Sequence, residues 1–408
     1  MKHTHHQFNL FISAAIAAST LASCGGDTKK EAAAVTITPE YTQRQQVFSM
    51  CMLSDIGAYY NGKGDLQSQT TAAVTNVLAD STVQGLIGQW QCVWGPIVRQ
   101  SPDRKDPTKL SDTAANMMFI ARQQGTSNFI VAIAGTDPAS NYEWLREDFD
   151  VTYTKWNDKD DKKGHITMGT RTGLSILTDS MKYNGISANQ FLLGTGDTVS
   201  DMNIWVTGHS LGGALSPVYA LQLKENWNAK NAASINCLAA AGATPGNKIF
   251  ADYYYSMLGK NTVRVWNTRD VVPHGFQSDM MKEIYDIYKT KPDSVGKAPG
   301  ELLVLLGTAI TYCTAQEVLH GPYTQLQPDS SFAFTSAIYT RDSAKHDDAT
   351  YSDTTYKNQI LYQHIPSYGV YFGTLSFQQA VQNVIGMPAP FFTQGAYLVP
   401  VSPSSATH

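Results

Sequence analysis

Residues 207–214 read Thr-Gly-His-Ser-Leu-Gly-Gly-Ala, which places Ser210 in the pattern G-x-S-x-G. A serine hydroxyl is a poor nucleophile near neutral pH. It attacks a carbonyl carbon only when a histidine takes its proton and an acid orients that histidine and stabilises its charged form. The glycines carry the same chemical meaning if a strand reverses sharply into a helix at this point. Side chains at 208 and 212 would collide across such a turn, the serine hydroxyl is lifted above the sheet, and the helix N-terminus behind it favours developing negative charge. The chemistry therefore asks for an acid and a base elsewhere. The candidate acids are Asp201 and Asp270, and the candidate bases are His274, His320, His346 and His364. His209, next to Ser210, points inward and packs, and His165 is structural.

Such groups need a rigid frame. Residues 129–134, 203–207, 234–239 and 262–266 are short apolar runs rich in β-formers, the pattern of buried strands. Between the second and third, residues 215–227 carry apolar positions at helical spacing. Strand, helix and strand in alternation from about Ala114 onward predict a parallel α/β sheet. In such sheets, reactive side chains collect at the carboxyl ends of the strands. Asp270 follows the strand 262–266 and lies at that edge. Asp201 precedes the strand 203–207 and lies at the opposite one. His274 is four residues past Asp270 on the same loop, a poor position from which to reach both Asp270 and Ser210. His320 precedes Gly-Pro and reads as a turn residue, and His346 sits in the charged run Lys345-His346-Asp347-Asp348. Residues 301–310 are apolar but short, and read as a core helix.

Length and charge set the limits. The chain has 408 residues, 42% hydrophobic and 16% charged, with formal net charge −4. This excludes a collagen, a coiled coil and a mostly disordered chain. A near-balanced charge also argues against a general nucleic-acid binder. The core is large enough to fold without a metal or disulfide staple. The first 23 residues have the basic start and apolar centre of a secretory signal, and the region ends Leu21-Ala22-Ser23-Cys24-Gly25, which resembles a bacterial lipobox. That resemblance implies cleavage before Cys24, acylation of its thiol, and a membrane anchor made of several acyl chains. Residues 24–40 then form a flexible tether. Gly25 in place of Asp leans toward the outer membrane rather than the inner. Cys51, Cys92, Cys237 and Cys313 remain, as buried thiols or as one or two bridges. Residues 158–164 (Asp-Lys-Asp-Asp-Lys-Lys-Gly) have lysines where a calcium loop needs oxygen ligands, and read as a solvated turn. No metal or other cofactor is expected, and the sequence sets no oligomeric state.

Several blocks, in order, resemble the class 3 lipases, the triacylglycerol lipase family first known from filamentous fungi. Ile133-Ala134-Gly135-Thr136 is similar to the family's oxyanion strand end, and Gly208–Gly212 to its nucleophile turn. Gly242-Ala243-Thr244-Pro245-Gly246-Asn247 is similar to its GxPxxGN turn. Asn267-Thr268-Arg269-Asp270 matches the loop carrying its acid, and Gln363-His364-Ile365-Pro366-Ser367-Tyr368-Gly369 the block carrying its histidine. The resemblance implies an α/β-hydrolase fold, a central mostly parallel sheet flanked by helices, over a single domain at residues 41–408. It implies a Ser210–Asp270–His364 triad. The oxyanion would be held by the N–H of Leu211, just after the nucleophile, and by Thr136 through its N–H and hydroxyl. Two departures stand out: Ala134 occupies a position that is commonly Arg, and the 94-residue gap from Asp270 to His364 implies an insertion around 275–350. Residues 137–149 occupy the place of the family's lid, with Trp144, Leu145 and Phe149 as its apolar face. The substrate implied is an acylglycerol ester. Phospholipase A or carboxyl and feruloyl esterase activity are alternatives on the same scaffold, and a non-catalytic, lipid- or partner-binding surface lipoprotein is the alternative from another class.

Overall fold

The computed structural model describes residues 38–102, 108–135, 150–158, 160–288, 300–328, 330–338 and 353–387. These belong to a unit that runs from Ile37 to His408. Cys24, Thr136, the 137–149 segment and His346 lie outside the described residues.

The frame is one seven-stranded sheet. Its strands are β1 (Trp90–Pro102), β2 (Leu110–Gln123), β3 (Asn128–Ile133), β8 (Met202–His209), β9 (Ala233–Ala240), β10 (Thr262–Asn267) and β11 (Ser330–Phe334), hydrogen-bonded in that order. Two small hairpins complete the numbering: β4 (Tyr153–Lys155) with β5 (His165–Thr167), and β6 (Lys182–Tyr183) with β7 (Ile186–Ser187). From β3 to β11 all neighbours are parallel, while β1, β2 and β3 form an antiparallel meander. The four strands expected from apolar runs are present. The meander's first two strands and the helices Gln43–Ser54, Leu66–Ala79 and Ser81–Ile87 extend the architecture upstream of Ala114.

The apolar runs are continuous because both faces of the sheet are covered. Phe129, Val131, Ile133, Ile204 and Val206 face one core, which the helix Leu211–Glu225 completes with Leu215, Val218 and Leu221. Ile130, Ala132, Leu238, Val263 and Val265 face the other, closed by Val47, Phe48 and Met50 of the first helix and by Tyr368 and Phe377 near the C-terminal end. The ring of Phe48 stacks on Phe372 at 3.9 Å, which ties the first helix to the segment after His364.

Between β10 and His364 lie the helices Ser278–Glu283 and Gly300–His320 and the edge strand β11. The longer helix corrects the expectation of a buried core helix over 301–310. Leu306 and Cys313 are buried, but Val304, Val318 and Leu319 are exposed. Only one stripe of it packs, and composition alone does not tell a two-sided core helix from a one-sided apolar one. Among the described residues no helix is long and apolar enough to cross a membrane. The four cysteines of this unit are free thiols. Burial pushes Cys237 and Cys313 up to about 12, so they stay protonated and unreactive.

Candidate active site

β8 ends at His209 and the next helix starts at Leu211, so Ser210 alone makes the reversal. It does so at φ 59° and ψ −123°, a conformation an L-residue adopts only when its surroundings enforce it. The glycines allow this. A Cβ on Gly208 would lie 2.3 Å from the backbone of Gly212, and one on Gly212 would lie 2.2 Å from the carbonyl oxygen of Ile133. Any side chain there would push the helix off β3 and β8. Leu211 opens the helix, where its N–H has no acceptor four residues back.

The acid and base arrive from far along the chain. Asp270 sits just past β10, at the carboxyl edge of the sheet, and is fully buried. His364 closes the helix Asp353–His364, so the base stands at a helix end rather than on a loop. Its Nε2 is 2.8 Å from Ser210 Oγ, and its Nδ1 is 2.8 and 3.0 Å from the two Asp270 oxygens. With Nδ1–H donating to the carboxylate, Nε2 faces the serine as an acceptor. Asp270 Oδ1 also accepts from Val272 N at 3.0 Å, and Oδ2 accepts from the Tyr368 hydroxyl at 2.9 Å.

Asn267, at the end of β10, closes the 94-residue gap between acid and base. Its Nδ2 donates to Gln363 O at 3.0 Å, Gln363 Oε1 at 2.8 Å and Ser367 Oγ at 3.1 Å, while its own N–H donates to Tyr368 Oη at 2.9 Å. Asn267, Gln363, Ser367 and Tyr368 are all buried, so these bonds do not compete with water. Asn267 and Tyr368 lie inside the very blocks whose pattern pointed to the acid and the base, which was the available signal for them.

His209 packs inward as expected, and it also does something its position in the motif did not disclose. Its Nε2 donates to the carbonyl oxygen of His364 at 2.6 Å, and the two rings lie 4.6 Å apart. Burial, with the nearby His364 second, holds its pKa well below the usual histidine range, so His209 stays neutral. A proton taken from Ser210 therefore has one imidazole to occupy.

The remaining candidates are placed elsewhere. His274 is buried with Nδ1 donating to the Asp270 carbonyl at 2.7 Å, which braces the acid's loop without reaching Ser210. His320 ends the Gly300–His320 helix, where its ring lies against those of Tyr153 and His165. Asp201 precedes β8 at the far edge of the sheet. In the 158–164 turn, Asp158 and Lys162 are exposed, and the partly exposed Lys163 pairs with Glu225 at 2.8 Å. Among the described residues, no cluster of three or more His, Cys, Asp or Glu could hold a metal.

One further residue had no signal in the sequence. Asp55, at the end of the first helix, accepts the N–H of Gly135 through Oδ1 at 2.8 Å. β3 is the parallel neighbour of β8, so this strand end lies beside Ser210: a Cβ on Gly135 would be 3.1 Å from the serine's Cβ. Ala134, where the resemblance leads one to expect Arg, offers no side chain to brace this strand end, and Asp55 supplies a brace.

Comparison with known proteins finds one family model and several solved structures. The model of the class 3 lipase family matches residues 130–280, which include most of β3, the Ser210 turn and Asp270. Among solved structures, the crystal structure of M37 lipase matches with a TM-score of 0.67 at 24% identity, covering 85% of this chain and 98% of that one. The lipase from Rhizopus microsporus var. chinensis matches at 18% identity with a TM-score of 0.38, over 57% of this chain and 70% of that one. The triacylglyceride lipase of Rhizomucor miehei matches at 16% identity with a TM-score of 0.40, over 57% of this chain and 75% of that one. No curated protein matches the chain. The fold is that of the α/β-hydrolases.

Proposed function

We propose that this chain, a lipase-like hydrolase by its class 3 segment, cleaves acylglycerol esters through an acyl-enzyme on Ser210. The observation that carries the reading is the unbroken hydrogen-bonded chain Ser210 Oγ–His364 Nε2 and His364 Nδ1–Asp270, at 2.8 Å for each link. In the first half-reaction, Ser210 Oγ bonds to the ester carbonyl carbon while its proton passes to His364 Nε2. Asp270 stabilises the imidazolium. The carbonyl oxygen becomes an oxyanion, held by the N–H of Leu211 and by Thr136. Collapse breaks the carbon–oxygen ester bond, and His364 returns the proton to the departing alcohol. In the second half, His364 takes a proton from water as the water oxygen attacks the acyl-serine; collapse breaks the acyl carbon–Oγ bond, His364 returns the proton to Ser210 Oγ, and the carboxylic acid leaves. No metal or other cofactor enters either half.

The membrane would be reached through Cys24, acylated after cleavage of residues 1–23. The support for this is the Leu21-Ala22-Ser23-Cys24 pattern alone.

The test is hydrolysis by the purified protein of p-nitrophenyl esters of graded chain length, emulsified triacylglycerol, phospholipid and feruloyl esters. The expected result is highest activity on acylglycerols and long-chain esters, abolished in Ser210→Ala. Preference for phospholipid or feruloyl ester would overturn the substrate class, and activity surviving Ser210→Ala would overturn the mechanism.

A further inference from the structure

We propose that a cavity beside Arg264 binds a small inorganic monoanion such as a halide. Arg264 lies on β10 and is only 6% exposed. One of its guanidinium nitrogens donates to Gln325 Oε1 at 2.6 Å, and the group lies 5.3 Å from the centre of the Trp266 ring. A guanidinium has five N–H donors, so one amide oxygen leaves most of them to be satisfied. Among the described residues, no carboxylate lies within ion-pair distance of it.

Arg264 and Gln325 line a cavity together with Gly213, Pro217, Ala243 and Thr262. The cavity volume is about 10 Å³, room for one small particle. Thr244 lies between two residues of the lining, is fully buried, and has a hydroxyl without a partner. Burial lowers the guanidinium to about 10, which still leaves it charged at neutral pH. A water in the cavity would satisfy its donors but not its charge, and a buried charge without a counter-charge is costly. A monatomic anion supplies both. Sulfate or a carboxylic acid is too large for the space.

The site has a route to the acid loop. Gln325 donates through Nε2 to the carbonyl of Pro273, in the short turn Val272–His274 that follows Asp270. An anion that fixes Arg264 also fixes Gln325, and through it this turn.

Bromide is the probe, because it can be located directly in the wild-type, full-length protein. Crystals grown in sodium bromide and measured at the bromine edge should show an anomalous peak in the cavity, within hydrogen-bonding reach of the Arg264 guanidinium. In solution, the melting temperature should rise saturably with sodium chloride over sodium gluconate at equal ionic strength. Arg264→Gln should abolish that difference. If this variant does not fold, the bromide experiment decides. A peak with no anomalous signal, a carboxylate of the chain in the cavity, or a melting temperature indifferent to chloride would overturn the proposal. None of these readouts depends on catalysis, so failure of the anion site and failure of the esterase reading are separable.

Discussion

Replacing His209 by Leu tests whether the residue before the nucleophile holds the base. The variant loses the Nε2–H bond to the His364 carbonyl. That carbonyl belongs to the last turn of a helix, where no intrahelical donor reaches it. The net hydrogen bond is worth about 1 kcal/mol, and a buried carbonyl left without a donor costs about 1–3 kcal/mol more. The expected loss of stability is thus about 2–4 kcal/mol. Catalysis should suffer separately, because the backbone that carries the base loses its tie to the nucleophile turn, and displacing a reacting group by 1 Å can cost on the order of 100-fold. The expected fall in kcat is about 10- to 100-fold with little change in KM. His209→Gln keeps a donor and should recover most of it. The variant also has a pH signature. Burial depresses the folded pKa of His209 below the unfolded value, so between the two the unfolded chain binds the extra proton. The resulting stability is complete above the unfolded value near 6.5 and is lost as pH falls toward the folded one, with a slope of about 1.4 kcal/mol per pH unit. Neither His209→Leu nor His209→Gln should retain that slope. The assays are steady-state hydrolysis of a soluble p-nitrophenyl ester and urea unfolding from pH 5 to 7.5. A folded Leu variant with kcat within a few-fold of wild type, or with an unchanged slope, would refute the reasoning.

Four further outcomes are expected. Ser210→Ala and His364→Ala should each lose on the order of 10⁴- to 10⁶-fold in kcat, with the double variant hardly worse, since members of a triad act as a unit; additive losses would show that they do not. Tyr368→Phe removes a donor from Asp270 and the acceptor of the Asn267 N–H, so urea unfolding should report a loss of about 2–4 kcal/mol, and kcat should fall about 10-fold. Asp55→Ala should lower kcat about 10-fold at constant KM and Asp55→Asn should restore it, because the amide oxygen can still accept from Gly135; equal activity in all three would remove Asp55 from the oxyanion side of the site. Incorporation of labelled fatty acid by wild type but not by Cys24→Ala would support the anchor, and equal labelling would sink it.

The nucleophile turn was legible in sequence because its cause is local. Gly208 is needed by its contact with Gly212, four residues on, and the strands on either side are apolar on both faces because both faces are covered. Asp270 was legible for a related reason: a residue just past a buried strand stands at that strand's carboxyl edge whatever the rest of the chain does. His364 was reachable only through the resemblance of its block to a family pattern, since the intervening 94 residues set no distance. The tertiary structure closed that gap with Asn267, whose one amide bonds to the buried Gln363 and Ser367. Asp55 left no trace in the sequence at all, being 80 residues from the N–H it holds. Likewise, the apolar run near 301–310 disclosed a helix but not which side of it packs. Steric limits and hydrophobic period act over a few residues and are written into neighbouring letters. A buried hydrogen bond between distant segments is settled by which surfaces the folded chain brings together, and only the tertiary structure contains that.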